Sequence, residues 1–99
     1  MRNITKEAVS AFINKYEFKK SNTKVVREGS IYYLKLFGNK IAAIEKNGSM
    51  WVSNAGWDSN TTKERLNGLP GVHIRQIKGL WYLNDLQWDG SPKFIKTIQ

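Results

Sequence analysis

The run Ile31 to Phe37, IYYLKLF, constrains this chain more than any other stretch. Ile31, Tyr33 and Phe37 alternate with Tyr32, Leu34 and Leu36, so a strand here carries apolar side chains on both faces. Such two-sided patterning suits a strand in the interior of a sheet. Partners lie on either side in sequence. Thr23 to Arg27 precedes it across Glu28-Gly29-Ser30, and Lys40 to Lys46, KIAAIEK, follows across a turn at Gly38-Asn39. Asn47-Gly48 is the strongest hairpin signal, because a type I′ turn needs positive φ at both central residues. Ser49 to Asn54 then returns, with Met50 and Val52 on one face and Trp51 on the other. A four-stranded antiparallel meander results.

One helix is available to cover it. From Thr5 to about Lys19, the residues Val9, Phe12, Ile13 and Tyr16 repeat at the spacing of a single buried stripe. Thr5 is placed to cap the first turn, Glu7 complements the helix dipole, and Ile4 and Val9 occupy staple positions. Further on, Val72 to Ile77 and Leu80 to Leu83 form a second hairpin around Lys78-Gly79, with Val72 and Ile74 inward and His73 and Arg75 outward. Asn84-Asp85 and Asp89-Gly90 are further turns flanking Leu86-Gln87-Trp88, and Ser91 to Gln99 adds a short edge strand. The expected class is α+β: an N-terminal amphipathic helix on an antiparallel sheet (meander plus C-terminal hairpin), with a short second helix near residues 62–67. A chain of 99 residues suits one domain, 1–99. Twelve aromatic residues, four of them Trp, supply core bulk.

The segment Ser53 to Gly71, SNAGWDSNTTKERLNGLPG, breaks the strand pattern. Thr61-Thr62-Lys63-Glu64 reads as a capping box, with Thr61 as N-cap and Glu64 reaching back. Asn67-Gly68 stops the helix in a left-handed turn, and Pro70 prevents its resumption. Leu66 and Leu69 anchor it, leaving Lys63 and Arg65 on its exposed side. A helix N-terminus with Asn60, Thr61 and Thr62 beside two cations is a candidate phosphate site; an ordinary capped connector is the other reading. Trp57 is either a flat face for a base or an interface anchor, or else a core plug.

Sixteen Lys and Arg against eight Asp and Glu leave a formal net charge of +8, which favours anionic partners, nucleic acid first. Lys15, Lys19 and Lys20 join Lys24 and Arg27 in one cationic cluster. The chain has no cysteine, so disulfides, zinc-thiolate sites and Cys nucleophiles are excluded. His73 stands alone without a metal-ligand partner, and no cofactor motif occurs, so neither metal nor cofactor is expected. Catalysis is not expected either, since no nucleophile–base or metal constellation is present. The N-terminus lacks the apolar core of a signal peptide, and no apolar run spans a bilayer, which points to an intracellular protein without a membrane partner. The sequons at Asn3, Asn47 and Asn60 are then chance matches.

The segments SNAGW, NTTKERLNGLPGV, WYLN and QWDG, with FKKSNT near the N-terminus, resemble a group of small uncharacterised accessory proteins of tailed bacteriophages. The resemblance implies the cytoplasm of a bacterial host as the setting, and an accessory role such as blunting host defence or redirecting a host enzyme. Two partner classes follow. One is nucleic acid, DNA or RNA, or a nucleoprotein complex, met by Lys15, Lys19, Lys20 and the segment from Trp57 to Arg65. The other is a host protein, inhibited or modulated through an aromatic patch centred on Trp57 without nucleic-acid contact.

Overall fold

The computed structural model describes residues 1–95 of the chain. A helix α1 (Asn3–Ile13) is followed by five strands, β1 (Phe18–Lys20), β2 (Thr23–Glu28), β3 (Ile31–Leu36), β4 (Asn39–Ile44) and β5 (Met50–Val52). A second helix α2 (Asn60–Leu66) leads to β6 (Ile74–Ile77), β7 (Leu80–Leu83), β8 (Leu86–Gln87) and β9 (Lys93–Ile95). One antiparallel sheet has the order β1-β2-β3-β4-β5-β9, and β6-β7-β8 form a second. The fold is α+β as expected, with β3 interior and β9 added at the edge beside β5. Residues 96–99 of the anticipated final strand lie outside the described residues. No helix among the described residues is long and apolar enough to cross a membrane.

The turns follow from which residues tolerate positive φ. Lys78-Gly79 and Asn84-Asp85 are two-residue turns with positive φ at both positions, as type I′ geometry demands. The β3–β4 turn falls one residue earlier than expected, on Phe37-Gly38, with φ of 51° and 81°. Phe37 is therefore a turn residue and 69% exposed, not a strand residue. At Asn47-Gly48 the expected I′ turn is overturned: only Gly48 has positive φ, at 89°. The Gly48 amide donates to the Glu45 carbonyl (2.9 Å), and Ser49 N donates to Asn47 Oδ1 (2.9 Å). The loop is one residue longer, with the glycine absorbing the bulge.

Helix α1 also departs from the stripe read in the sequence. It ends at Ile13 because Lys15 enters the left-handed region at φ 60°. Tyr16 N then donates to Ala11 O (3.0 Å) and Lys15 N to Phe12 O (3.2 Å), closing a Schellman motif without glycine. The buried face is Thr5, Ala8, Ala11 and Phe12; the first three are small and let the helix lie close to the sheet, while Ile13 and Tyr16 are exposed. Thr5 is not the cap; it is buried in the first turn. One core joins α1, the inner face of the large sheet and the small sheet, through Phe12, Val25, Leu34, Leu66, Leu83 and Trp88 among others.

Candidate functional site

The expected site residues do not converge. Helix α2 starts earlier than the capping box implied, with Ser59 as N-cap; Ser59 Oγ accepts from Thr62 N at 3.2 Å. Thr62 is buried, Thr61 is half-buried and Asn60 is exposed. Glu64 does not reach back to its own helix. It accepts from the Arg2 amide (3.3 Å) and from the Thr5 hydroxyl, and it pairs with Arg65. Burial pushes the Glu64 carboxyl up, but the bonds from Thr5, Arg2 and Arg65 outweigh it and hold the group below its ordinary value.

Arg65 is the clearest correction. Its side chain is 1% exposed, so it does not project to solvent or a partner. Arg65 Nε donates to Thr23 Oγ1 (3.1 Å) and Nη1 to Thr5 Oγ1 (2.9 Å), tying α2 to β2 and α1. Burying a guanidinium is costly unless its N–H groups find acceptors and a carboxylate lies near, and here Thr5, Thr23, Asn22 and Glu64 supply them. Lys63 turns away too: its Nζ donates to Gln76 Oε1 (2.6 Å) and lies 5.8 Å from the Trp81 ring centroid. Through Arg65 and Lys63 the short helix is tied to α1, β2 and β6.

Trp57 is exposed at 62%. Its loop is pinned from behind: Trp57 N donates to Asn54 O (2.8 Å), and Asn54 N to Gly90 O (2.9 Å). Trp57 and Phe37 flank a groove of about 450 Å³ with a mostly apolar lining that includes Leu36, Ile41 and Thr61.

The N-terminal cations separate onto different surfaces. Lys15 closes α1. Lys20 faces that helix and pairs with Glu7 at 3.0 Å. Lys19 points to the opposite side of the sheet, and there a larger pattern appears. Strand register places Lys19 opposite Lys24, Lys24 opposite Lys35, and Lys35 opposite Lys40, a row of four lysines across β1 to β4. A bulge in β4 creates the last step. Leu34 pairs with Ala42 but Lys35 with Lys40, so Ile41 is the extra residue. Without it, Lys40 would share the inward face of Ala42 and Ile44; with it, Lys40 turns outward and Ile41 is buried.

Beside the lysines runs an aromatic row on the same face. Tyr33 stands opposite Ala43, Ala43 opposite Trp51, and Trp51 opposite Phe94. Tyr33 and Trp51 meet edge to face at 6.4 Å, and Trp51 Nε1 donates to Glu45 (3.2 Å). Lys40 Nζ sits 3.9 Å from the Tyr33 centroid. Glu28 bridges Lys40 (3.1 Å) and Lys35 (3.6 Å). The Lys40 ammonium hydrogen-bonded to it holds the Glu28 carboxyl below its ordinary value, and Glu28 raises Lys40 in turn. Among the described residues, the elements that bury the other face, α1 on β1–β3 and α2 on β4, leave this one uncovered.

A family model of the Kyanoviridae Gp96 protein matches residues 1–98. The chain belongs to that family. Kyanoviridae Gp96 is a bacteriophage protein family, so the phage resemblance holds at this level. No curated protein and no solved structure matches the chain. Within this Gp96 chain the described residues contain no group of three or more His, Cys, Asp or Glu able to hold a metal. Sequence reading grouped Lys19 with Lys24 and missed Lys35, Lys40, Trp51 and Phe94 as their neighbours. The usable signal was the strand alternation itself, once the registers are drawn.

Proposed function

We propose that this phage accessory protein acts inside the host cell by binding nucleic acid, alone or within a nucleoprotein complex, and that it works by binding rather than catalysis. One observation carries the reading: four cross-strand lysines form a continuous row on a sheet face that no other element covers among the described residues. Adjacent strands lie about 4.8 Å apart, so the row extends roughly 15 Å, enough to follow several phosphates. The net charge of +8 supplies the long-range attraction. Among the described residues Glu28 is the only acid bonded into the row; its exposed ion pairs are weak and exchangeable for phosphate.

The test is fluorescence anisotropy of labelled oligonucleotides against salt. Four lysine contacts give a slope of log K against log[salt] of about −3. A Lys24→Gln, Lys35→Gln variant shrinks it by about 1.4 to 1.8. A slope that the double variant leaves unchanged refutes the reading.

The groove between Trp57 and Phe37 favours a second reading, in which a host protein inserts an apolar side chain there. Trp57→Ala then weakens that complex by roughly 2 kcal/mol or more, with little response to salt.

A further inference from the structure

We infer that the ligand class of the open sheet face is single-stranded nucleic acid, with bases stacked on Phe94 and Trp51 and the backbone following the lysine row. This rests on the proposed nucleic-acid reading and narrows it.

Shape argues first. The open face is six strands wide, about 24 Å from β1 to β9. A B-form major groove is about 12 Å wide and admits one helix or a two-stranded ribbon. A face of this breadth does not enter a groove, so its aromatic row cannot reach base edges in a duplex. Duplex bases also offer no free faces, because each is stacked on its neighbours. An unpaired strand offers both a backbone and free base faces.

The chemistry of the rings argues second. Phe94 is 60% exposed on the edge strand β9, with no polar atom to explain its position. Its cross-strand neighbour Trp51 is held in place by Tyr33 and by the bond from its indole N–H to Glu45. Tyr33 is not itself a platform, since Lys40 occupies its face. Two rings on adjacent strands therefore remain for two successive bases, their spacing set by strand pairing before any ligand arrives. The lysine row lies about 7 Å further along the strands and ends at Lys40 on β4, one strand from Trp51 and two from Phe94, so a backbone leaving the stacked bases meets Lys40 first and then crosses the sheet towards Lys19.

The experiment compares a labelled poly-dT oligonucleotide with a duplex of equal length, using the full chain and the variants Phe94→Ala, Phe94→Tyr and Lys24→Gln/Lys35→Gln. The expected result is tighter binding of the single strand, a five- to 150-fold loss for Phe94→Ala on it, and near-complete retention by Phe94→Tyr. Phe94 is exposed, so its replacement leaves the core intact. Equal affinity for duplex and single strand, or an unchanged affinity in Phe94→Ala, overturns the single-strand assignment. If the lysine variant still flattens the salt slope in that case, the nucleic-acid reading stands alone. Binding to neither oligonucleotide removes both.

Discussion

Replacing Arg65 tests the central correction to the sequence reading, that this cation holds the fold together and does not meet a partner. Arg65→Ala removes the donors to Thr5, Thr23 and Asn22 and breaks the pair with Glu64. Breaking a buried ion pair costs about 3–5 kcal/mol. Two details move the estimate to the lower end. The Thr5 and Thr23 hydroxyls each keep one bond, to Glu64 and Asn22. Glu64 is 27% exposed and can turn to water. A loss of about 3 kcal/mol follows, against a total of about 5–15 kcal/mol for such a domain. The assay is urea unfolding followed by tryptophan fluorescence, with the m-value checked for constancy. The melting midpoint should fall by roughly 12–24 °C. Arg65→Met, which keeps much of the volume and lets Glu64 rotate outward, should lose about half as much. Under conditions where the Met variant stays folded, its salt slope for oligonucleotides should equal that of the parent, since a lost phosphate contact would reduce it by about one. A stability change below about 1 kcal/mol in Arg65→Ala, or a reduced slope in Arg65→Met, refutes the reasoning.

Gly90→Ala should destabilise by about 2–3 kcal/mol, because φ is +88° and the new Cβ would overlap the Asn54 side chain; Gly48→Ala, at +89° with open space around it, should cost only about 1 kcal/mol. Thermal melts of the two variants check that contrast. Lys15→Gly should stabilise by about 0.5 kcal/mol, since glycine relieves the left-handed strain at the Schellman position but adds unfolded-state entropy. Glu28→Gln should tighten oligonucleotide binding by up to about fivefold in anisotropy titrations, because Lys35 and Lys40 lose their competing anion. The folded-state depression of Glu64 gives a stability contribution that is present above its unfolded pKa and lost as pH falls through the lower folded value. Glu64→Gln should therefore flatten the acid limb of stability against pH.

Local physics was legible in the sequence. Period-two alternation placed β2 to β5, and Lys78-Gly79 and Asn84-Asp85 marked the turns of β6 to β8, because few residue pairs accept two positive φ values. Long-range physics was not. The burial of Arg65 depends on Thr5 and Thr23, which are remote in sequence and meet it only after α1 and β2 have packed. The helix boundary at Ile13 depends on a lysine adopting a conformation usually left to glycine, which no propensity anticipates. At the candidate site, Lys24 was grouped with Lys19, but Lys35 and Lys40 looked like scattered surface charge. Their alignment needs three registers and one bulge, and shifting β4 by a single residue would send Lys40 to the opposite face.

The β9 strand carries a consequence for the order in which the chain is made. The meander from β1 to β5 closes through hairpins, whose contacts are near in sequence and form early. Met50–Val52 then waits as a bare edge until Lys93–Ile95 has been synthesised and released to pair with it. During that interval Trp51 sits on an unpaired strand, the kind of surface that joins neighbouring chains. Nascent chains on one polysome should therefore be most prone to association between completion of β5 and arrival of β9. Arrested chains ending before Lys93 should sediment as aggregates where longer ones do not; equal sedimentation would show that β5 is protected by other means.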